Sequence, residues 1–185
     1  MLPEQSQNPH EVWATFAGEI DHLAVNRFFA AFAVASANQV RHVHLLLQST
    51  GGTVADGVCL YNFLSTLPVE VSLYNGGTVA SAAASVYLGA KTRKVSATGT
   101  FMVHRTRAAP AGVTAERLQA LGKSVLLDDQ RTEAILRAHL SLPEDLWEVH
   151  KVADLWLSAA EAVEYGMANE IADFAPPKGV RLFAI

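Results

Sequence analysis

The stretch Val69-Glu70-Val71-Ser72-Leu73-Tyr74-Asn75-Gly76-Gly77-Thr78-Val79-Ala80-Ser81-Ala82-Ala83-Ala84-Ser85 joins two kinds of backbone through a glycine pair. In its first half Val69, Val71 and Leu73 alternate with Glu70, Ser72 and Tyr74, which is the period of a strand. Gly76 and Gly77 let the chain turn sharply, and small residues then carry it into a helix expected from Val79 to Leu88. Ser81 stands near that helix start, where the first backbone N–H groups have no intrahelical acceptor. A hydroxyl beside free donors suits acyl transfer, because the donors can hold an oxyanion. The same run also suits a buried helix that packs closely through Gly, Ala and Ser, and on local sequence both readings stand.

Outward from this stretch, strands and helices alternate. Val12 to Ala17 reads as a first strand, and Asp21 caps a helix carrying Leu23, Phe28, Phe29 and Phe32 that closes at Asn38. His42 to Leu47 is a second strand, ending in Ser49-Thr50-Gly51-Gly52, and a helix from about Val54 to Leu64 follows until Pro68 forbids its continuation. Beyond Ser81, Lys94 to Ser96 and Phe101 to His104 read as short strands parted by the Thr98-Gly99 turn. This order predicts an α/β fold, a wound and largely parallel sheet with crossover helices.

After His104 the texture changes. Arg105 to Gly112 looks extended, and a proline-free helix is expected from Thr114 to about His139. Leu118, Leu121, Val125, Leu136 and Leu140 give it an apolar stripe, against polar faces at Glu116, Lys123, Asp128, Asp129 and Arg131. Such a helix is long enough to project and pack on another subunit. Ser158-Ala159-Ala160-Glu161 has the capping-box spacing, Gly166 comes where a left-handed residue ends that short helix, and Ala168 to Ile171 reads as a last strand.

Composition sets bounds. The 185 residues suit one domain spanning 1–185. Only 17% are charged against 50% hydrophobic, little charge for a small monomer, so a homo-oligomer is expected. The formal charge of -4 is spread without a Lys/Arg cluster, which argues against nucleic acid as a partner. No apolar run reaches the roughly 18 residues that span a bilayer, and Met1 to His10 lacks the shape of a signal peptide, so no membrane partner and a cytoplasmic location are expected. Cys59 is the only cysteine, in an apolar stretch read as core, which excludes an intrachain disulfide and a thiolate metal cluster.

A nucleophilic serine needs a base within hydrogen-bond reach and, where the base is imidazole, a carboxylate to fix its tautomer. Among seven histidines, His104 is the one expected at the end of a core strand on the edge where Ser81 emerges. Asp154 precedes the apolar Leu155-Trp156-Leu157, where the chain re-enters the core, and is the candidate carboxylate or else a surface or helix-end residue. The Gly51-Gly52 turn repeats the logic of the turn before Ser81. Side by side, the N–H groups of Gly51 and Ala82 would make an oxyanion hole, or the two are ordinary strand-to-helix turns. His42 and His44 share one strand face but lack a third ligand at metal spacing, so no metal and no cofactor are expected.

The combined order of Ser-Thr-Gly-Gly-Thr-Val at 49–54, Val-Ala-Ser-Ala at 79–82, Met-Val-His at 102–104 and Asp-Leu-Trp-Leu-Ser-Ala-Ala-Glu-Ala-Val-Glu-Tyr-Gly at 154–166 resembles the proteolytic subunit of Clp protease. The resemblance runs from about Val12 to Ile171, and the last motif is its most specific part. It implies the Clp and crotonase superfamily fold with a projecting handle helix, the handle region covering about 105–140. It also implies Ser81 as nucleophile, His104 as general base, Asp154 as its orienter, and Gly51 and Ala82 as oxyanion donors. The substrate, a peptide or unfolded protein, would add as a strand along Arg107, Ala108 and Ala109, close to Gly52. Handles would interlock stacked rings into a chamber served by an AAA+ unfoldase.

The sequence departs from that pattern at several points. Thr50 replaces a proline, Ala82 a methionine, Ala83 a glycine and Arg105-Thr106 a Gln-Pro pair. Ala153 stands where the family commonly has an arginine that pairs across rings. The first strand begins after about ten residues, where the family has an axial gating loop and another strand, which counts against unfoldase docking. Three alternatives stay open: a catalytically silent ring component, a Ser-Lys dyad peptidase using Lys123, 42 residues after Ser81, and a crotonase-type acyl-CoA enzyme.

Overall fold

Buried apolar residues on neighbouring strands assemble the sheet. In the computed structural model, which describes residues 10–185, β1 (Glu11–Ala17), β2 (His42–Gln48) and β3 (Glu70–Asn75) lie side by side in parallel. Val43, Leu45 and Leu47 of β2 bury one face completely or nearly so, and Phe16 of β1 joins them. The sheet is extended by β5 (Thr92–Val95) and β8 (Glu170–Ile171) on one side and by β9 (Leu182–Ala184) on the other. All six strands run parallel, in the order β8-β5-β3-β2-β1-β9. The mixed α/β architecture with a parallel sheet is the expected one. The polar residues ahead of β1, read from sequence as lacking a signal peptide and a gating loop, lie outside the described residues up to position 9.

Helices α1 (His22–Ala37) and α2 (Val54–Thr66) connect the parallel strands. Asp21 caps α1 by accepting the Ala24 N–H at 2.8 Å, and Phe28 and Phe32 turn inward against Phe16 and Phe63. Leu23 and Phe29, the other two large apolar residues named on this helix, are exposed. Cys59, read as core, is exposed on α2. A helix has only one inward stripe, and these residues fall outside it.

The opening run resolves differently from the single helix expected from Val79. Thr78–Ala80 form a strand, β4, and α3 (Ala82–Leu88) begins only after Ser81. Every residue of α3 is buried. Small side chains are what make this possible, since a Cβ on Gly57 of α2 would come within 2.8 Å of Ala82 O and one on Gly89 within 2.8 Å of Tyr61 O. The close-packing reading of the run is therefore realised by the helix itself.

A second, three-stranded sheet, in the order β4-β6-β7, carries the site. Here β6 (Thr100–Val103) pairs parallel with β4 and antiparallel with β7 (Leu155–Ser158), a strand not foreseen, as β9 was not. The long helix α4 (Ala115–His139) is capped by Thr114. Its C-terminal half buries Ile135 and Leu136, while Leu118, Leu126 and Leu127 of its N-terminal half stay exposed. Helix α5 (Glu144–Val152) then leads to β7, and α6 (Ala159–Glu164) starts on a complete Ser158/Glu161 capping box. Among the described residues no helix is long and apolar enough to cross a membrane.

Candidate active site

Ser81 has φ 55° and ψ -129°, backbone that a side-chain-bearing residue adopts only when its surroundings impose it. Two bonds do so here. The Ser81 N–H donates to Met102 O at 2.7 Å, and the Ala84 N–H closes the first helical turn on Ser81 O at 2.9 Å. The result is a sharp strand-to-helix elbow at the end of β4, with Ser81 lining a small cleft.

The β4–β6 register pairs Ala80 with Met102, so Ser81 and His104 leave the small sheet at the same end. His104 Nε2 lies 2.8 Å from Ser81 Oγ. With its proton on Nδ1, the imidazole accepts the hydroxyl hydrogen at Nε2, the direction that general-base chemistry requires.

Asp154 reaches the same place by a different route. Val103 pairs with Leu155 across the β6–β7 ladder, which sets Asp154 opposite His104. Its carboxylate nevertheless turns to Arg107, whose Nη2 donates to Asp154 Oδ1. His104 Nδ1 is buried with no hydrogen-bond partner among the described residues. Of the three residues singled out in the sequence, Ser81 and His104 therefore meet through their side chains, while Asp154 meets them only through the strand register.

Two glycine turns abut, as expected. Gly51 has φ +106°, and a Cβ there would fall 2.6 Å from Ser81 Cβ and 3.1 Å from Ala82 N, so only glycine permits the approach. The Gly51 N–H, however, donates to Ser49 Oγ at 3.1 Å. That amide is committed, which corrects the reading of Gly51 as an oxyanion donor. Gly52 is the member of the pair that lines the cleft, together with Ala82. Arg107, Ala108 and Ala109 lie in an exposed run outside any helix or strand, so this backbone has no ladder partner.

What fastens this run has no prominence in the sequence. Asp129, on α4 and 7% exposed, accepts the Thr106 N–H at 2.6 Å and Arg105 Nε at 2.9 Å. Arg105 also reaches Glu133 at 3.5 Å. Burial pushes the Asp129 carboxyl up, but the Thr106 N–H and the Arg105 guanidinium together hold it below the usual range. The handle helix thus grips the two residues that follow His104. Asp129 and Arg105 are legible in the sequence only as polar residues; their 24-residue separation carries no local signal.

The remaining candidates sit elsewhere. The rings of His42 and His44 lie 4.0 Å apart, tilted by 30°, and are tied to Ser72 Oγ at 2.8 Å and Tyr74 OH at 3.0 Å. Burial, then the charges of His42 and Lys94, lower the His44 pKa to about 4 against the opposing pull of Glu11 and Glu70. Among the described residues no three His, Cys, Asp or Glu side chains gather closely enough to hold a metal ion. Buried His150 is held below its ordinary pKa, first by burial. Lys123 is exposed on α4 and does not line the cleft.

Comparison with known proteins places this architecture. The family profile described as Clp protease matches residues 10–174. ATP-dependent Clp protease proteolytic subunit 3 of Rhizobium johnstonii is 27% identical over 143 residues, covering 76% of this chain and 72% of its own length. Proteolytic subunit 1 of Streptomyces avermitilis is 25% identical over 158 residues, covering 84% and 72%. Among solved structures, a point mutant of ClpP1 from Listeria monocytogenes has a TM-score of 0.74 at 22% identity, over 90% of this chain and 92% of its own, a likeness of fold. With a profile match over most of its length and the same fold, the chain belongs to the Clp protease family.

Proposed function

We propose that this chain is a serine endopeptidase that cleaves peptides or unfolded polypeptides through an acyl-enzyme. The observation that carries the reading is the 2.8 Å contact between His104 Nε2 and Ser81 Oγ at a strained elbow. His104 takes the Ser81 proton as Oγ attacks the scissile carbonyl, then gives it to the leaving amine. Water, deprotonated by His104, hydrolyses the resulting ester. The N–H groups of Gly52 and Ala82 hold the oxyanion, Gly52 taking the place expected for Gly51. Asp154 is the positioning residue for His104 once it is released from Arg107. The substrate backbone pairs with the unladdered run at Arg107, Ala108 and Ala109, which gives affinity with little sequence demand.

Residues 1–185 act in this reading as one peptidase unit without cofactor, in the cytoplasm. The exposed Leu118, Leu126 and Leu127 on the handle support homo-oligomeric assembly into rings that enclose the site. An AAA+ unfoldase is not required for cleavage of short peptides. The exposure of Lys123 disfavours a Ser-Lys dyad, and the Ser81–His104 pair disfavours the acyl-CoA reading.

A second reading, a catalytically silent ring component, draws on one observation, the capture of Asp154 by Arg107. Hydrolysis of a mixed fluorogenic peptide pool separates the readings. The peptidase loses turnover in His104→Ala and keeps it in Lys123→Ala; a dyad enzyme reverses the two results, and a silent component hydrolyses nothing in any form.

A further inference from the structure

Arg107 is bonded to the carboxylate that His104 lacks, and it also lines the cleft beside Ser81. Its side chain is 67% exposed, and that of Asp154 is 33% exposed. An ion pair so open to water is held weakly and exchanges readily. The cleft next to it has a volume of about 100 Å³, room for one short side chain. Its walls are polar on one side. The Thr106 hydroxyl is buried beside the Asp129 carboxylate, and the buried Ser85 also lines the cleft. A guanidinium held only by an exposed ion pair at the edge of a one-residue cavity can pass its donors to a carboxylate that enters.

We propose that Arg107 is a specificity residue for a substrate carboxylate: an Asp or Glu side chain immediately before the scissile bond takes Arg107 from Asp154, which then turns to His104 Nδ1. This rests on the serine peptidase reading above. The exchange replaces one carboxylate on Arg107 by another, so the number of guanidinium–carboxylate pairs is unchanged. It adds a charge-assisted hydrogen bond from His104 Nδ1–H to Asp154, satisfying a buried group that is otherwise unpaired. An acidic substrate therefore both fills the cleft and completes the orientation of its own general base. A neutral side chain leaves Arg107 on Asp154 and the imidazole unsupported. No covalent step beyond ordinary acyl transfer is involved, and by linkage whatever draws Asp154 to His104 also strengthens the hold on the acidic substrate.

The test uses full-length protein and peptide pairs that differ only in Glu or Gln before the scissile bond. Wild type is expected to favour the Glu peptide in kcat/KM by about 10- to 100-fold, the range of one charge-assisted hydrogen bond, with part of the effect in kcat. Arg107→Gln is expected to abolish the preference and to raise turnover of the Gln peptide, because Asp154 is freed. Equal rates in wild type, or a Glu preference that survives Arg107→Gln, overturn the proposal while leaving the peptidase reading intact. Calorimetric binding of the uncleaved pair to Ser81→Ala provides a readout independent of turnover. Tighter binding of the Glu peptide, lost when Arg107→Gln is added, upholds carboxylate recognition even if a fluorophosphonate never labels wild-type Ser81, in which case the peptidase reading fails instead. Equal binding of both peptides overturns the recognition.

Discussion

His104 and Asp154 face each other across the β6–β7 ladder, one residue beyond the Val103–Leu155 pair, yet the carboxylate is bonded to Arg107 and His104 Nδ1 has no partner among the described residues. The strands thus hold the two residues in register while the side chains occupy a different arrangement. Asp154→Asn distinguishes a working carboxylate from a surface partner of Arg107. The variant keeps the shape and the ladder but removes the charge that would stabilise an imidazolium at His104. Peptide hydrolysis is expected to fall by about a hundredfold or more, as loss of the triad carboxylate does elsewhere. Unchanged kcat/KM in a folded variant would restrict Asp154 to its pairing with Arg107.

Gly51→Ala probes the meeting of the two turns. Alanine there must adopt φ +106° and place its Cβ 2.6 Å from Ser81 Cβ, so the elbow must shift. We expect a loss of about 2–4 kcal/mol in stability together with loss of turnover, read from chemical denaturation and peptide hydrolysis. A variant as stable and active as wild type would mean that the turns are not held together as described.

Asp129 tests the grip of the long helix on the segment that follows His104. Asp129→Ala leaves the Thr106 N–H and the Arg105 guanidinium without their buried acceptor, a loss on the order of 3 kcal/mol. Thermal unfolding is expected to come earlier by roughly 5–10 °C. Because the affected residues directly follow His104, kcat is expected to fall more than KM rises. Asp129→Asn, which keeps one acceptor oxygen, is expected to recover part of both losses.

The pH dependence of stability follows from the histidines. His44 titrates near 4 when folded and at its ordinary 6.5 when unfolded, so the unfolded chain binds the proton first as pH falls. Stability is therefore full above about 6.5, declines towards 4, and stops declining on this account below that. After allowance for the solvent that still reaches a partly buried ring, the loss is on the order of 1–2 kcal/mol. His139 and His150, both held below their ordinary values, act in the same direction. Denaturation midpoints between pH 7 and pH 4 are expected to fall less steeply in His44→Gln; an identical slope would assign the effect to other groups.

Much of this molecule is legible in its sequence because local chemistry decides it. The strands β1, β2 and β3, the Asp21 and Ser158 caps and the glycine pair at 51–52 are set within a few residues and are found where the pattern puts them, although only β2 alternates in burial and in β3 the polar Ser72 and Tyr74 are buried too. The run from Val79 reads as wholly helical because its small residues suit a helix, while its first part is fixed as strand by pairing with β6, more than 20 residues away. Strand β9 pairs with β1 from the far end of the chain, and nothing in Leu182–Ala184 announces that partner. The site divides in the same way. Ser81 and His104 are signalled by what stands beside them, whereas the Arg105–Asp129 clamp, the commitment of Gly51 to Ser49 and the capture of Asp154 by Arg107 depend on side-chain directions that spacing does not encode.

The most direct test of a reactive Ser81–His104 pair is intact mass and peptide mapping after treatment with a fluorophosphonate. One adduct per chain is expected, on Ser81, absent in Ser81→Ala and much slower to form in His104→Ala. A folded wild-type protein that stays unlabelled, or one labelled equally fast without His104, would contradict the assignment of this pair as nucleophile and base.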